Sequence, residues 1–149
     1  LHDYCPLRIG VRHFPVADST KYYIAECSGK SRWYVGSKWV DGWLEGKVRS
    51  LGTYTVAIDT VAPRVTPLNR NRWASGRITF RIGDDASGLG SYRATVDGEF
   101  VLFECNRSYS SLTCNLRETD VERGGLHTLE MTVTDRCGET TVFRERFRY

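Results

Sequence analysis

The sequence has little proline, a single methionine and no long apolar run. Only 4 of its 149 residues are Pro and 1 is Met, and no stretch approaches the roughly 18 consecutive apolar residues of a transmembrane helix, so membrane insertion is not expected. The 14 Gly follow no repeat, which excludes a collagen-like chain. With 40% hydrophobic and 26% charged residues, the composition is that of a folded protein with one ordinary domain or two small ones.

Neither sign of charge is in large excess. The chain carries 21 Lys and Arg against 18 Asp and Glu, a formal net charge of +3. Domains that bind nucleic acid usually show a strongly basic face or stripe. The charge balance therefore predicts no nucleic-acid partner.

Apolar residues do not recur at the spacing of a helix. They alternate with polar residues instead, with a period of two, so we predict an all-β fold with few helices. In the first half the pattern predicts strands at residues 7–14, 21–26, 32–35 and 52–58. In the second half it predicts strands at residues 77–82, 91–96, 99–105, 111–116, 126–134 and 140–149, with one more near Arg64.

A domain boundary is predicted at Pro63, which cannot donate to a strand ladder and keeps the residue before it extended. Seven short strands over residues 63–149, with an Asp97-Gly98 hairpin turn, predict an immunoglobulin-like β-sandwich. Residues 1–62 supply only four or five strands. They form either a small sheet packed on the second domain or, as we prefer, the last part of a sandwich that begins upstream.

Five cysteines are an odd number, so at most two disulfides can form within the chain. This content favours an extracytoplasmic location, in the periplasm, on the cell surface or secreted. The pairings to consider are Cys105 with Cys114 and Cys5 with Cys27, the alternative for the first pair being two buried thiols. Cys137 is then the unpaired thiol. The chain begins without Met or a leader, which suggests that a segment precedes it.

The constellations that carry metal or acid-base chemistry are missing. The three His, at positions 2, 13 and 127, form no His-x-His pair, and no Cys-x-x-Cys occurs. Asp84, Asp85 and Ser87 before Gly88 resemble an oxygen-rich calcium turn, but the spacing is that of an ordinary turn. We therefore predict no metal, no cofactor and no enzymatic activity, with His127 packed or capping.

Aromatic residues are concentrated in one short stretch, where Trp33, Tyr34, Trp39 and Trp43 lie within eleven residues. Exposed aromatic faces stack on sugar rings or anchor peptides, so these four are the candidate binding residues. The alternative, which we favour, is that they form a core. Arg144, Arg146 and Arg148 alternate on the last strand and are interpreted as a solvated edge that resists strand pairing.

Several motifs resemble one bacterial family. They begin with Asp59-Thr60-x-Ala62-Pro63 and continue through Ser87-Gly88-Leu89, Val96-Asp97-Gly98-x-Phe100 and His127-x-Leu129-x-Met131-x-Val133-x-Asp135. This order is similar to the immunoglobulin-like module that follows lysostaphin-type zinc endopeptidases in secreted cell-wall enzymes. Cys137 departs from the pattern, in which Asn is usual. The peptidase's zinc ligands are absent, so the resemblance implies the accessory region without the hydrolase.

The expected function is thus a non-catalytic accessory region that positions a cell-wall peptidase or another surface protein. Its partners would be an upstream catalytic domain or a cell-wall glycan or peptide. Two alternatives remain open: a glycan- or peptidoglycan-binding module that uses the Trp33 to Trp43 cluster, and an adhesin-like structural repeat. The sequence gives no prediction of oligomeric state.

Overall fold

The computed structural model describes residues 3–149 and confirms the all-β class, with fourteen strands and three short 3₁₀ turns in the described part. The chain divides into two compact units. The first runs to Val61 and includes residues 85–88 and 136–139, while the second comprises residues 62–84, 89–135 and 140–149. No helix among the described residues has the length and hydropathy needed to cross a membrane.

The first unit contains two three-stranded antiparallel sheets. Its strands are β1 (Cys5–Gly10), β2 (Tyr22–Ser28), β3 (Ser31–Gly36), β4 (Lys38–Val40), β5 (Trp43–Val48) and β6 (Thr53–Ile58). One sheet has the order β1-β5-β4 and the other β3-β2-β6. The predicted strand at residues 7–14 ends at Gly10, and β4 and β5 are strands that the sequence pattern did not predict.

Strand β2 is buried on both faces, which explains its unbroken apolar run. Tyr22 and Ile24 pack with Leu44 in one cluster, while Tyr23 and Ala25 belong to another. Because successive side chains of a strand point to opposite faces, one short strand serves two clusters. Cys137 completes the second cluster.

Two glycines allow the sheets of the first unit to approach closely. A Cβ built on Gly36 would lie 2.6 Å from Gly46 Cα and 2.7 Å from Glu45 O. A Cβ on Gly46 would lie 2.8 Å from a methyl group of Val35. Any side chain at position 36 would therefore collide with backbone atoms of β5.

The second unit is an immunoglobulin-like β-sandwich, as predicted. Its strands are β7 (Arg64–Leu68), β8 (Arg77–Gly83), β9 (Leu89–Val96), β10 (Glu99–Phe100), β11 (Glu104–Cys105), β12 (Ser111–Asn115), β13 (Leu126–Asp135) and β14 (Thr140–Arg148). Its two antiparallel sheets have the orders β7-β8-β12-β11 and β10-β9-β13-β14. In immunoglobulin nomenclature these are the A-B-E-D and C′-C-F-G sheets.

The predicted single strand at residues 99–105 is wrong. Residues 99 and 100 pair with β9, whereas residues 104 and 105 pair with β12 in the opposite sheet. Between them Val101 and Phe103 are buried in the core of the sandwich, and the Tyr92 hydroxyl donates to Phe103 O. The chain crosses from one sheet to the other here, and this crossing leaves Leu102 on the outside.

Candidate functional site

The aromatic cluster of the first unit is divided among different environments. The Tyr34 ring stacks on Tyr23 with centroids 5.7 Å apart, and the Arg136 guanidinium lies 4.7 Å from its centroid. Trp39 packs against Phe14 and its ring nitrogen donates to Ser19 O at 2.7 Å. Tyr34 and Trp39 are thus committed to packing within the unit.

The other two members of the cluster are exposed. Trp33 is 63% exposed on β3 and Trp43 is 48% exposed on β5, and these strands belong to different sheets. Trp43 lies over Gly10, where a Cβ built on the glycine would be 3.1 Å from the indole ring. The four aromatic residues do not form one continuous platform, so any sugar contact in this unit would involve Trp33 and Trp43 separately.

The five cysteines are all free thiols. Cys105 on β11 lies opposite Leu112 of β12, and Cys114 is two residues further along β12. On the other side of β12, Cys114 is in register with Ile78 of β8. Cys5 and Cys27 lie in strands of different sheets. Neither predicted disulfide is formed in the structure. Burial and, to a smaller extent, the nearby charge of Glu118 raise the pKa of the Cys114 thiol to about 11, which makes its reactive thiolate scarce at neutral pH.

One histidine of the second unit has a carboxylate partner. His127 Nδ1 lies 2.7 Å from Asp97 Oδ2, and the Thr128 amide donates to Asp97 Oδ1 at 2.7 Å. Asp97 is the first residue of the Asp97-Gly98 turn, with φ +52°. Both carboxylate oxygens of Asp97 therefore hold this turn to the start of β13. We call the Asp97–His127 pair the turn anchor.

These hydrogen bonds make the turn anchor sensitive to acid. The Thr128 amide, and then the hydrogen bond from His127, lower the pKa of Asp97 below its ordinary value of 3.8. A carboxyl whose pKa is lower in the folded chain stabilises the fold above the unfolded pKa, and that contribution is lost as the pH falls through the folded pKa. We expect Asp97→Asn to flatten the acid limb of the stability curve below about pH 4, measured by urea unfolding.

The matched control is Asp41→Asn, an exposed aspartate with a similar φ of +50° in the other unit. Asn tolerates this backbone conformation at both sites. If wild type and Asp97→Asn lost stability equally between pH 5 and pH 2, the anchor would contribute nothing to acid sensitivity.

A groove of about 620 Å³ lies beside the turn anchor, within the second unit. Its acidic residues are Asp97, Glu99, Glu118, Asp120 and Glu122, all exposed. Its apolar lining includes Phe100 and Leu102, which are 56% and 62% exposed. We call this surface the acidic groove. No Lys or Arg is among its lining residues in the described part of the chain.

Sequence reasoning missed the acidic groove because its carboxylates come from separate segments. Residues 97–102 follow β9, whereas residues 118–122 follow β12 through the 3₁₀ turn Leu116–Glu118. The only signal available was the acidic content of residues 118–122, which a turn explains equally well. The three arginines of β14 are all exposed on the edge strand, with Arg144 paired to Glu130.

Comparison with known protein families finds a match to the first unit. The model of the Zu5-like domain family matches residues 1–59, which contain all six strands of the first unit. No curated protein and no solved structure matches the chain. The resemblance of residues 59–149 to a peptidase-associated module stays a prediction. The first unit is therefore similar to a Zu5-like domain, and the second is an immunoglobulin-like sandwich by its strand order.

Proposed function

We propose that this chain is a non-catalytic accessory module that binds or positions another protein domain. The observation that carries the proposal is the turn anchor: in the described residues His127 is the one histidine paired with a carboxylate, and that carboxylate holds a hairpin, with Asp97 Oδ2 hydrogen-bonded to His127 and Oδ1 to the Thr128 amide. The high pKa of the buried Cys114 supports the same interpretation, because that thiol is a poor nucleophile.

The biological setting that we propose is extracytoplasmic, next to a cell-wall enzyme or on another surface protein. The support is the motif resemblance over residues 59–149 together with the sandwich architecture of that part. Sandwich modules of this kind offer loops and sheet faces to partners while the sheets keep them in place. In this role the chain contributes contacts, and the chemistry belongs to the protein that it accompanies.

The proposal is tested by adding the chain, in buffer that contains zinc chloride, to purified peptidoglycan and measuring release of soluble fragments. We expect no release above buffer, while a muramidase added as a positive control releases them. Release by the wild type that is abolished in His127→Gln would overturn the non-catalytic role. Because His127 is a turn residue, equal thermal unfolding of the variant and the wild type must accompany that result.

A second candidate function is glycan binding, and the exposure of Trp33 and Trp43 favours it. Large flat rings give much contact area at little entropic cost. Sedimentation with insoluble peptidoglycan tests it: Trp33→Ser with Trp43→Ser should abolish co-sedimentation, whereas Leu51→Ser, at a side chain that is 93% exposed, should not. Quenching of tryptophan fluorescence by iodide should fall when glycan is bound. Equal sedimentation of all variants would exclude this function.

A further inference from the structure

We propose that the acidic groove binds an extended peptide segment of a partner protein in which Lys or Arg alternates with apolar residues. This inference goes beyond the accessory role, since it assigns a surface and a partner chemistry that the role does not require. It concerns the second unit alone, so it is independent of Trp33 and Trp43.

The charge of the groove is opposite to that of the whole chain. Five carboxylates line it, and the chain has a net charge of +3. The two arginines that flank its acidic segment are engaged elsewhere: Arg117 Nε donates to Ser75 O at 3.2 Å, and the Arg123 guanidinium lies 5.2 Å from the Tyr149 ring centroid. The groove therefore concentrates negative potential, which attracts cationic side chains.

Three of the five carboxylates are available to a partner. Asp97 is held in the turn anchor, and Glu118 accepts a hydrogen bond from Asn115. Within the described part of the chain, Glu99, Asp120 and Glu122 form no ion pair. Guanidinium or ammonium groups would gain charge-assisted hydrogen bonds there without breaking an existing pair.

The apolar side chains distinguish a peptide from a simple cation. Phe100 and Leu102 are two residues apart, with the buried Val101 between them, so both project from the same side of the crossing segment. The Arg93 guanidinium lies 5.3 Å from the Phe100 ring centroid, and the ring is still 56% exposed, so a partner's apolar side chain can reach the part that Arg93 leaves uncovered. A metal ion would gain nothing from contact with these apolar side chains. A peptide with alternating basic and apolar residues would contact both the carboxylates and the apolar side chains of the groove.

The test uses a fluorescein-labelled hexapeptide of alternating Arg and Leu and the full chain, with anisotropy measured in 20 mM NaCl. Glu99→Gln with Glu122→Gln should raise the dissociation constant about 2- to 30-fold, the loss expected for two exposed ion pairs. The control, Asp3→Asn with Asp41→Asn, removes the same charge from exposed sites in the other unit and should change nothing. Binding should weaken in 500 mM NaCl because salt screens exposed charges.

A second pair of measurements tests the apolar contribution. Leu102→Ser should weaken binding of the Arg-Leu peptide and leave binding of an Arg-Ser hexapeptide unchanged. Equal binding of the two peptides to the wild type would overturn the apolar part of the proposal. Displacement of the peptide by CaCl₂ at constant ionic strength would assign the groove to a cation instead.

Absence of any binding at low salt, or equal losses in the groove and control variants, would overturn the proposal as a whole. Neither result would bear on the accessory role, which is decided by fragment release from peptidoglycan. Equal thermal unfolding of all variants shows that each change acts on the surface and not on the fold.

Discussion

Phe80→Ala should lower the free energy of unfolding of the second unit by about 3–5 kcal/mol. Phe80 is fully buried, and its ring centroid lies 5.8 Å from that of Trp73, 5.9 Å from Phe103 and 5.1 Å from Phe143. Removing the ring loses its transfer free energy and leaves a cavity at the centre of this aromatic group. Urea unfolding followed by far-UV circular dichroism measures the change.

The control is Phe100→Ala, the same substitution at a ring that is 56% exposed. An exposed substitution of this kind usually changes stability by about 0.5 kcal/mol or less. Comparable losses for the two variants would contradict the assignment of Phe80 to the centre of the core.

Gly90→Ala should destabilise the second unit by about 1–3 kcal/mol. A Cβ at position 90 would lie 2.5 Å from the backbone oxygen of Asp135 and 2.9 Å from its carbonyl carbon. The register between β9 and β13 shifts between Thr134 and Asp135, so the two backbones approach closely at this irregularity. Because the colliding atoms belong to the backbone, a side-chain rotation cannot relieve the clash.

Gly83→Ala is the matched control in the same unit, since a Cβ there has no neighbouring atom within 4 Å. We expect a change of about 1 kcal/mol or less, in the stabilising direction, because alanine restricts the unfolded chain. The thermal unfolding midpoints of the two alanine variants should therefore move in opposite directions. A shared destabilisation of similar size would mean that the glycine effect is not steric.

The central strands of the second unit were predictable because β8, β12 and β13 bury every second residue over most of their length. In β13, for example, Leu129, Met131 and Val133 are buried and the residues between them are not. Residues 100–103, by contrast, are four consecutive apolar residues, which are typical of one buried strand, and for that reason they hid the crossing between sheets. Which partner strand each half pairs with depends on the packing of Val101 and Phe103, and this information is not local.

The first unit was harder to predict. Strand β4 has only three residues, too few to show an alternation. Strand β5 contains Gly46, a residue that is uncommon inside strands, so its sequence does not indicate a strand clearly. The division of the aromatic cluster, by contrast, was open to sequence reasoning. Trp33 and Tyr34 are consecutive in β3, and consecutive strand residues point to opposite faces, so they could not share one platform.

The acidic groove depends on long-range folding in a way that the aromatic cluster does not. Its carboxylates lie in two segments that are separated by β11 and β12. A charge pattern along the chain cannot bring these segments together. Only the return of the chain after β12, through the turn at Leu116–Glu118, places the second group of acids beside the first.

The close approach of Gly36 to Gly46 leaves no space between strands β3 and β5 at this point of the first unit. Where the main chain of β3 meets the main chain of β5 at Gly36, there is no room even for a methyl group, and widening the gap would require separating the two strands. A ligand therefore cannot enter between the two strands at Gly36 and Gly46. If the first unit recognises another molecule, the exposed side chains on its surface, such as Trp33 and Trp43, are the groups that could contact it.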